Sequence, residues 1–353
     1  MKLLFGSRWT RLIVVASSAM ATAALATPSA SPAQRPTKGA AGDNADGKKG
    51  EGKKEAKPAQ QAGGKSDQPE PQAVELDTDD GVLIAATYFP SAVGKNAPAV
   101  ILMHGYGEKQ SVFWPSRTGK DLAFALQDAG YAVLTFDFRG HGRSVQLARG
   151  AEQKGKEVRL NFKDMKNPQH FEGMLHDIET AKRFLVRKNN EAELNIARLG
   201  VVGCEMGASL ALKWSFHDWQ FPPLFTGKQG QDVQALVLIS PSYNFKGVQI
   251  RNELAELQRT LPIQIVAGKK ETKAFGEAEK MHQAGVKLRP TDTKSQLTAA
   301  NTKMQGGSLL NPELELEPDL NRAIVKFLDA TLKTNPSKWE TREVSEGDRV
   351  VNK

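Results

Sequence analysis

The stretch that decides the fold is residues 198–216, RLGVVGCEMGASLALKWSF. Residues 199–204 form an unbroken apolar run, the pattern of a strand buried on both faces. From Met206 onward the apolar positions fall at helical spacing. The period changes across Gly203-Cys204-Glu205-Met206-Gly207, so the chain passes from strand to helix through a sharp turn with a glycine on either side. A carboxylate, Glu205, is left at the centre of that turn.

Working outward, the same alternation recurs. PAVILMHGYG (98–107) and YAVLTFDFRGHGRS (131–144) each read as a buried strand running into a glycine-rich turn. Between them LAFALQDAG (122–130) has helical spacing and a stop at Gly130. FEGMLHDIETAKRFLVRK (171–188) is an amphipathic helix with Met174, Ile178, Ala181 and Leu185 on one face. VQALVLISPS (233–242) and LPIQIVAGKKE (261–271) are further buried strands, a last strand is expected within 295–303, and LNRAIVKFLDATLK (320–333) closes the series as a helix. AVELDTDDGVLIAATYF (73–89) precedes them as a hairpin turning at Asp79-Asp80-Gly81. Apolar strands alternating with helices imply an α/β domain over residues 72–333, a mostly parallel sheet covered on both faces.

The two ends differ in composition. Lys2, Arg8 and Arg11 precede an apolar run over 12–25, and Ala24-Leu25-Ala26 supplies small residues for cleavage. Residues 1–26 therefore read as a secretory signal peptide, which places the chain in the periplasm or cell envelope of a bacterium. A permanent span needs roughly 20 apolar residues, so no lasting membrane crossing is expected unless the signal stays uncleaved. Residues 27–71 are rich in Ala, Pro, Gly, Lys and Gln, too poor in large apolar side chains to offset their ordering entropy, and read as a disordered linker. Residues 334–353 read as a loose polar tail.

The formal net charge is +8, half of it within residues 1–75. The basic cluster at 48–57 (KKGEGKKEAK) is broken by Glu and Gly and lacks the interleaved aromatics on which bases stack, so no nucleic-acid partner is expected. The single cysteine, Cys204, excludes an internal disulfide and Cys-x-x-Cys metal sites. No glycine pattern fits a dinucleotide or P-loop site. Neither cofactor nor metal is expected.

HGYG after one buried strand, DFRGHGRS after the next and GCEMG at the strand-to-helix turn, in that order, resemble the α/β-hydrolase family. The likeness is to its lysophospholipase-like and serine-aminopeptidase-like branch, over residues 74–332. The resemblance implies an eight-stranded sheet with helices on both faces. Gly203 and Gly207 become the glycines of the nucleophile elbow. The amides of Met206 and Tyr106 become the oxyanion-hole donors. Asp137, Arg139 and Ser144 tie the loop beside the elbow rather than react, and His141 is not the base.

The sequence departs from the family where chemistry is concerned. The family places serine at the elbow, an acid after a later strand and histidine after the last strand. Here the elbow residue is Glu205. The acid position falls in Gly268-Lys269-Lys270-Glu271-Thr272, so Glu271 is a possible remnant. The histidine is expected within 305–310, which reads QGGSLL. The six histidines are His104, His141, His170, His176, His217 and His282, and none follows His282. Relatives that act on haloalkanes or epoxides carry aspartate at the elbow, but they also need the histidine. A helix N-terminus and nearby amides should hold Glu205 as the anion, while burial should oppose this.

Three functions remain in view: a catalytically degenerate module that binds an unknown ligand or envelope protein, an ester or amide hydrolase using Glu205, and a polyanion binder acting through the Lys-rich segment. Only about twenty residues (241–260) separate two late strands, so any lid is at most one short helix. Trp219, Phe221 and Phe225 are read as core anchors more readily than as cleft walls.

Overall fold

The described residues of the computed structural model are 68–147, 159–222, 228–289 and 294–343. Residues 1–67, covering the stretches read as a signal peptide and most of the linker, and Phe225 lie outside them. The strands are β1 (Gln72–Asp77), β2 (Leu83–Phe89), β3 (Pro98–Met103), β4 (Ala132–Phe136), β5 (Asn195–Cys204), β6 (Val233–Ile239), β7 (Asn244–Phe245), β8 (Val248–Gln249), β9 (Ile263–Gly268) and β10 (Ser295–Ala300). Eight of them form one sheet in the order β1-β2-β4-β3-β5-β6-β9-β10. β2 runs antiparallel to both of its neighbours, and every other pairing is parallel. The eight-stranded, mostly parallel sheet expected of the sequence is therefore present. The hairpin turns where Asp79-Asp80-Gly81 predicts, with Gly81 at φ 79°.

The helices are α1 (Leu122–Asp128), α2 (Pro168–Gly173), α3 (Leu175–Asn190), α4 (Met206–Trp219), α5 (Arg251–Thr260), α6 (Thr272–Leu288) and α7 (Leu320–Leu328). Successive strand residues point to opposite faces, and the core divides accordingly. On one face Ile101, Val201, Leu238 and Ile265 meet α3, α4, α5 and α6 through residues such as Ile178, Leu210, Leu254 and Met281. On the other face Val100, Val202, Val237 and Val266 meet α1 and α7 through Leu126, Ile324 and Phe327. This two-sided burial explains why β3, β4 and β9 are apolar but for Thr135 and Gln264, with every residue buried.

One expectation narrows and one changes. α5 packs Leu254 and Leu257 into the core, so it covers the sheet and is no lid. The small β7–β8 ribbon instead lines the cleft beside Glu205, through Asn244, Phe245 and Lys246. Residues 334–343 are not loose where described. Trp339 Nε1 donates to the Asn189 carbonyl at 3.0 Å, and Arg342 pairs with the buried Asp232 at 2.6 Å. Polar composition concealed this docking because it runs through hydrogen bonds and one ion pair rather than an apolar face.

Trp219 is half-buried and donates to the Val233 carbonyl, while Phe221 is 40% exposed. No helix among the described residues is long and apolar enough to cross a membrane.

Candidate functional site: a carboxyl pair at the strand-to-helix elbow

β5 and β6 end side by side, and the Glu205 amide donates to the Ile239 carbonyl at 2.8 Å. α4 begins at the next residue. Glu205 sits at φ 46°, ψ −104°, a region that costs a non-glycine residue about 1–3 kcal/mol. A Cβ on Gly203 would run into the Gly207 carbonyl, and one on Gly207 would come within 2.5 Å of the Met103 carbonyl oxygen. Both glycines are thus fixed by the closeness of β3, β5 and α4.

The sequence reading missed Glu108, the residue after HGYG. Its Oε2 accepts from the Gly105 amide at 2.7 Å and its Oε1 from the Gly307 amide at 3.1 Å. It therefore ties the loop after β3 to the loop after β10. Its neighbour is Glu205: a Cβ on Gly105 would lie 2.8 Å from Glu108 Oε2 and 3.0 Å from Glu205 Oε2. Neither carboxyl forms an ion pair among the described residues. Burial, and then the Glu108 charge, push the Glu205 carboxyl above the usual glutamate range. Burial raises Glu108 as well, against the opposing pull of the Gly105 and Gly307 amides. The signal for Glu108 was its adjacency to a glycine turn that must cross above the elbow.

The loop after β10 lies where the sequence places the missing histidine. Residues Gly306–Leu310 form a short 3-10 turn, and the Gly306 amide donates to Ser240 Oγ at 2.9 Å. Gly306 has φ 56°, and a Cβ there would stand 3.0 Å from Glu205 Cδ. The glutamate, longer than serine, reaches into the space above this loop.

A cleft of about 730 Å³ opens beside Glu205, walled by Ser240, Tyr243, Phe245, Lys246, Glu271 and Gln305, and no histidine lines it. Both polar atoms of the Gln305 side-chain amide are buried without a partner among the described residues. Glu271 is a helix cap, accepting from the Ala274 amide at 2.5 Å, rather than a carboxylate holding an imidazole.

The histidines have other places. His104 is fully buried, with Nδ1 2.7 Å from the Gly105 carbonyl and Nε2 accepting from the Phe138 amide at 3.0 Å. Burial pushes it down to about 4, so it is a neutral structural ring. His141 is buried, stacks on Phe162 and bonds through Nδ1 to the Arg139 carbonyl. His282 reaches Ser295 at the start of β10, the opposite end of the sheet from Glu205. Asp137, Arg139 and Ser144 tie their loop as expected. The Asp137 carboxylate takes the Gln110 and Arg143 amides, Ser144 Oγ donates to the Asp137 carbonyl, and Arg139 joins Asp177 and Asp80.

For the two proposed oxyanion donors, Met206 is the first residue of α4, whose amide has no intrahelical acceptor. The Tyr106 amide has no backbone acceptor among the described residues. The Tyr106 hydroxyl donates to the Phe162 carbonyl at 2.9 Å, and Lys246 Nζ stands 3.5 Å from its ring centre. No cluster of three or more His, Cys, Asp or Glu among the described residues is placed to hold a metal.

The sequence matches the serine aminopeptidase S33 family over residues 94–284. Uncharacterized proteins of two Mycobacterium tuberculosis strains are 27% identical over 139 residues, which is 39% of this chain and 39% of theirs. Among solved structures, the chain is similar to an esterase of Pyrococcus furiosus at 18% identity and a TM-score of 0.51, covering 74% of this chain and 92% of that one. It is also similar to an acylaminoacyl peptidase of Pyrococcus horikoshii at 10% identity and 0.53, covering 78% and 43%. At such identities the likeness is one of fold.

Proposed function

The chain belongs to the serine aminopeptidase S33 family of the α/β-hydrolases, and from that premise we propose that it is an exported member that binds a ligand at the elbow cleft without turning it over. The observation that carries this reading is Glu205, which stands where the family has a serine, has the Glu108 carboxyl beside it and lines a cleft without histidine. Loss of serine or histidine alone costs about 10⁶ in turnover in a measured serine protease, and here neither is in place. A carboxyl at the elbow also occupies or repels the negative charge that the Tyr106 and Met206 amides would stabilise in an acyl-transfer transition state. Export rests on residues 1–26 alone, and the envelope is the proposed location. Its check is the N-terminus of the chain recovered from the periplasm, which should begin near Thr27.

The binding reading predicts that the purified chain retains a neutral ester or amide in equilibrium dialysis and returns it intact. Release of the alcohol or amine at a rate that depends on Glu205 would overturn it.

A second reading has one observation in its favour. Two neighbouring carboxyls, both raised, form an arrangement that can hold one proton and give or take it. In that case Glu205 serves as acid or base in an active hydrolase, and turnover follows its titration. A flat pH–rate profile removes this reading.

A further inference from the structure

Away from the elbow cleft, a groove of about 860 Å³ runs between the loop after β3 and the loop after β4. Its floor is aromatic. Phe89 meets Trp114 edge-on at 5.4 Å and Phe124 at 5.3 Å, and Trp114 and Phe124 are only half-buried. Three exposed cations, Lys109, Arg117 and Arg143, share its walls, and none forms an ion pair among the described residues. This contrasts with Arg139, Lys182 and Arg342, each paired with a carboxylate. Of the two acids in the groove, Glu70 is exposed, while Asp137 is buried and spends both oxygens on the Gln110 and Arg143 amides. Arg117 is held at φ 54°, outside the usual range for an arginine. Gln110, also on the wall, is 4% exposed and its Oε1 has no partner among the described residues.

We infer that this groove binds a small organic anion with a flat aromatic body, the ring lying on Trp114 and Phe124 and the anionic group meeting Lys109, Arg117 and Arg143. The argument is one of complementarity. Like charges gathered on a concave wall focus a positive potential into the groove, and guanidinium groups match the oxygens of carboxylate and phosphate in paired hydrogen bonds. Trp114 and Phe124 present ring surface that water covers poorly. Glu205 and Glu108 take no part, so this site stands or falls apart from the elbow.

The test is calorimetric titration of the full chain with phenyl phosphate and with benzoate, which distinguish the two anion chemistries. Inorganic phosphate supplies charge without a ring, and benzyl alcohol a ring without charge. At least one aryl anion should bind saturably, about tenfold or more tighter than either control, and should weaken as salt is raised. Arg143→Gln and Trp114→Leu should each weaken it by about fivefold or more, as expected for loss of a charged hydrogen bond or a ring contact. Arg143 is exposed, so its variant leaves the core untouched if Trp114→Leu fails to fold. Lys246→Ala, in the elbow cleft, should leave binding unchanged. Absence of saturable binding, indifference to Arg143→Gln, or loss in Lys246→Ala would each overturn the proposal.

Discussion

The carboxyls of Glu205 and Glu108 flank Gly105, each within 3.0 Å of the point where a side chain on that glycine would begin. One comes from the elbow after β5 and the other from the loop after β3. Neither pairs with a cation among the described residues, and burial disfavours the charged form of both. The consequences of this pairing are measurable.

The first concerns pH and stability. The folded state holds Glu205 and Glu108 above their ordinary range, so their contribution to stability is complete below the unfolded pKa and is lost as pH rises through the folded values. Glu205→Gln removes the like-charge contact. The difference in Tm between Glu205→Gln and the parent chain should therefore be near zero at acidic pH and grow in favour of the variant toward neutrality. A constant difference across that range would contradict the pairing.

Glu108 also holds two loops together, accepting from Gly105 and Gly307. Glu108→Ala leaves both amides without an acceptor and should cost about 1–3 kcal/mol in denaturant unfolding. Glu108→Gln keeps an acceptor, removes the charge, and should cost less than the alanine variant.

Gly306 is constrained both by its backbone and by its neighbour. Gly306→Ala places a methyl 3.0 Å from Glu205 Cδ at a positive φ. It should destabilise by about 1–3 kcal/mol through combined strain and crowding. In a Glu205→Ser background the crowding disappears, and about 1 kcal/mol of backbone cost should remain. A double-mutant cycle showing no coupling would separate the two residues.

Restoring the serine alone should not restore chemistry. Glu205→Ser leaves the cleft without an imidazole to activate the serine and should show no turnover above a no-enzyme control. Adding Gln305→His places an imidazole on the cleft wall, and the double variant should exceed the single one by about tenfold or more, the lower range of general-base catalysis. Equal rates would mean that residue 305 does not face the elbow as its place on the cleft wall indicates.

The fold was legible because the parallel strands are buried on both faces. β3, β4, β5, β6 and β9 carry almost nothing but apolar side chains, and the glycines at 203 and 207 mark the elbow by a steric requirement. The site was legible only along the chain. Glu205 and the empty histidine position could be read from order and spacing, whereas Glu108 required knowing that the turn after β3 crosses above the elbow. The role of Glu271 was hidden for a similar reason, since capping α6 and completing a triad place the same residue type at the same loop. The docked segment 334–343 carries no apolar periodicity and could be seen only in three dimensions.

The most direct test of the central claim is a panel of ester and amide substrates given to the purified chain and to Glu205→Ala in parallel, across acidic to neutral pH. The account predicts that both stay at the no-enzyme rate throughout. Turnover by the parent chain that vanishes in Glu205→Ala would contradict it, and would make the carboxyl pair a catalytic centre.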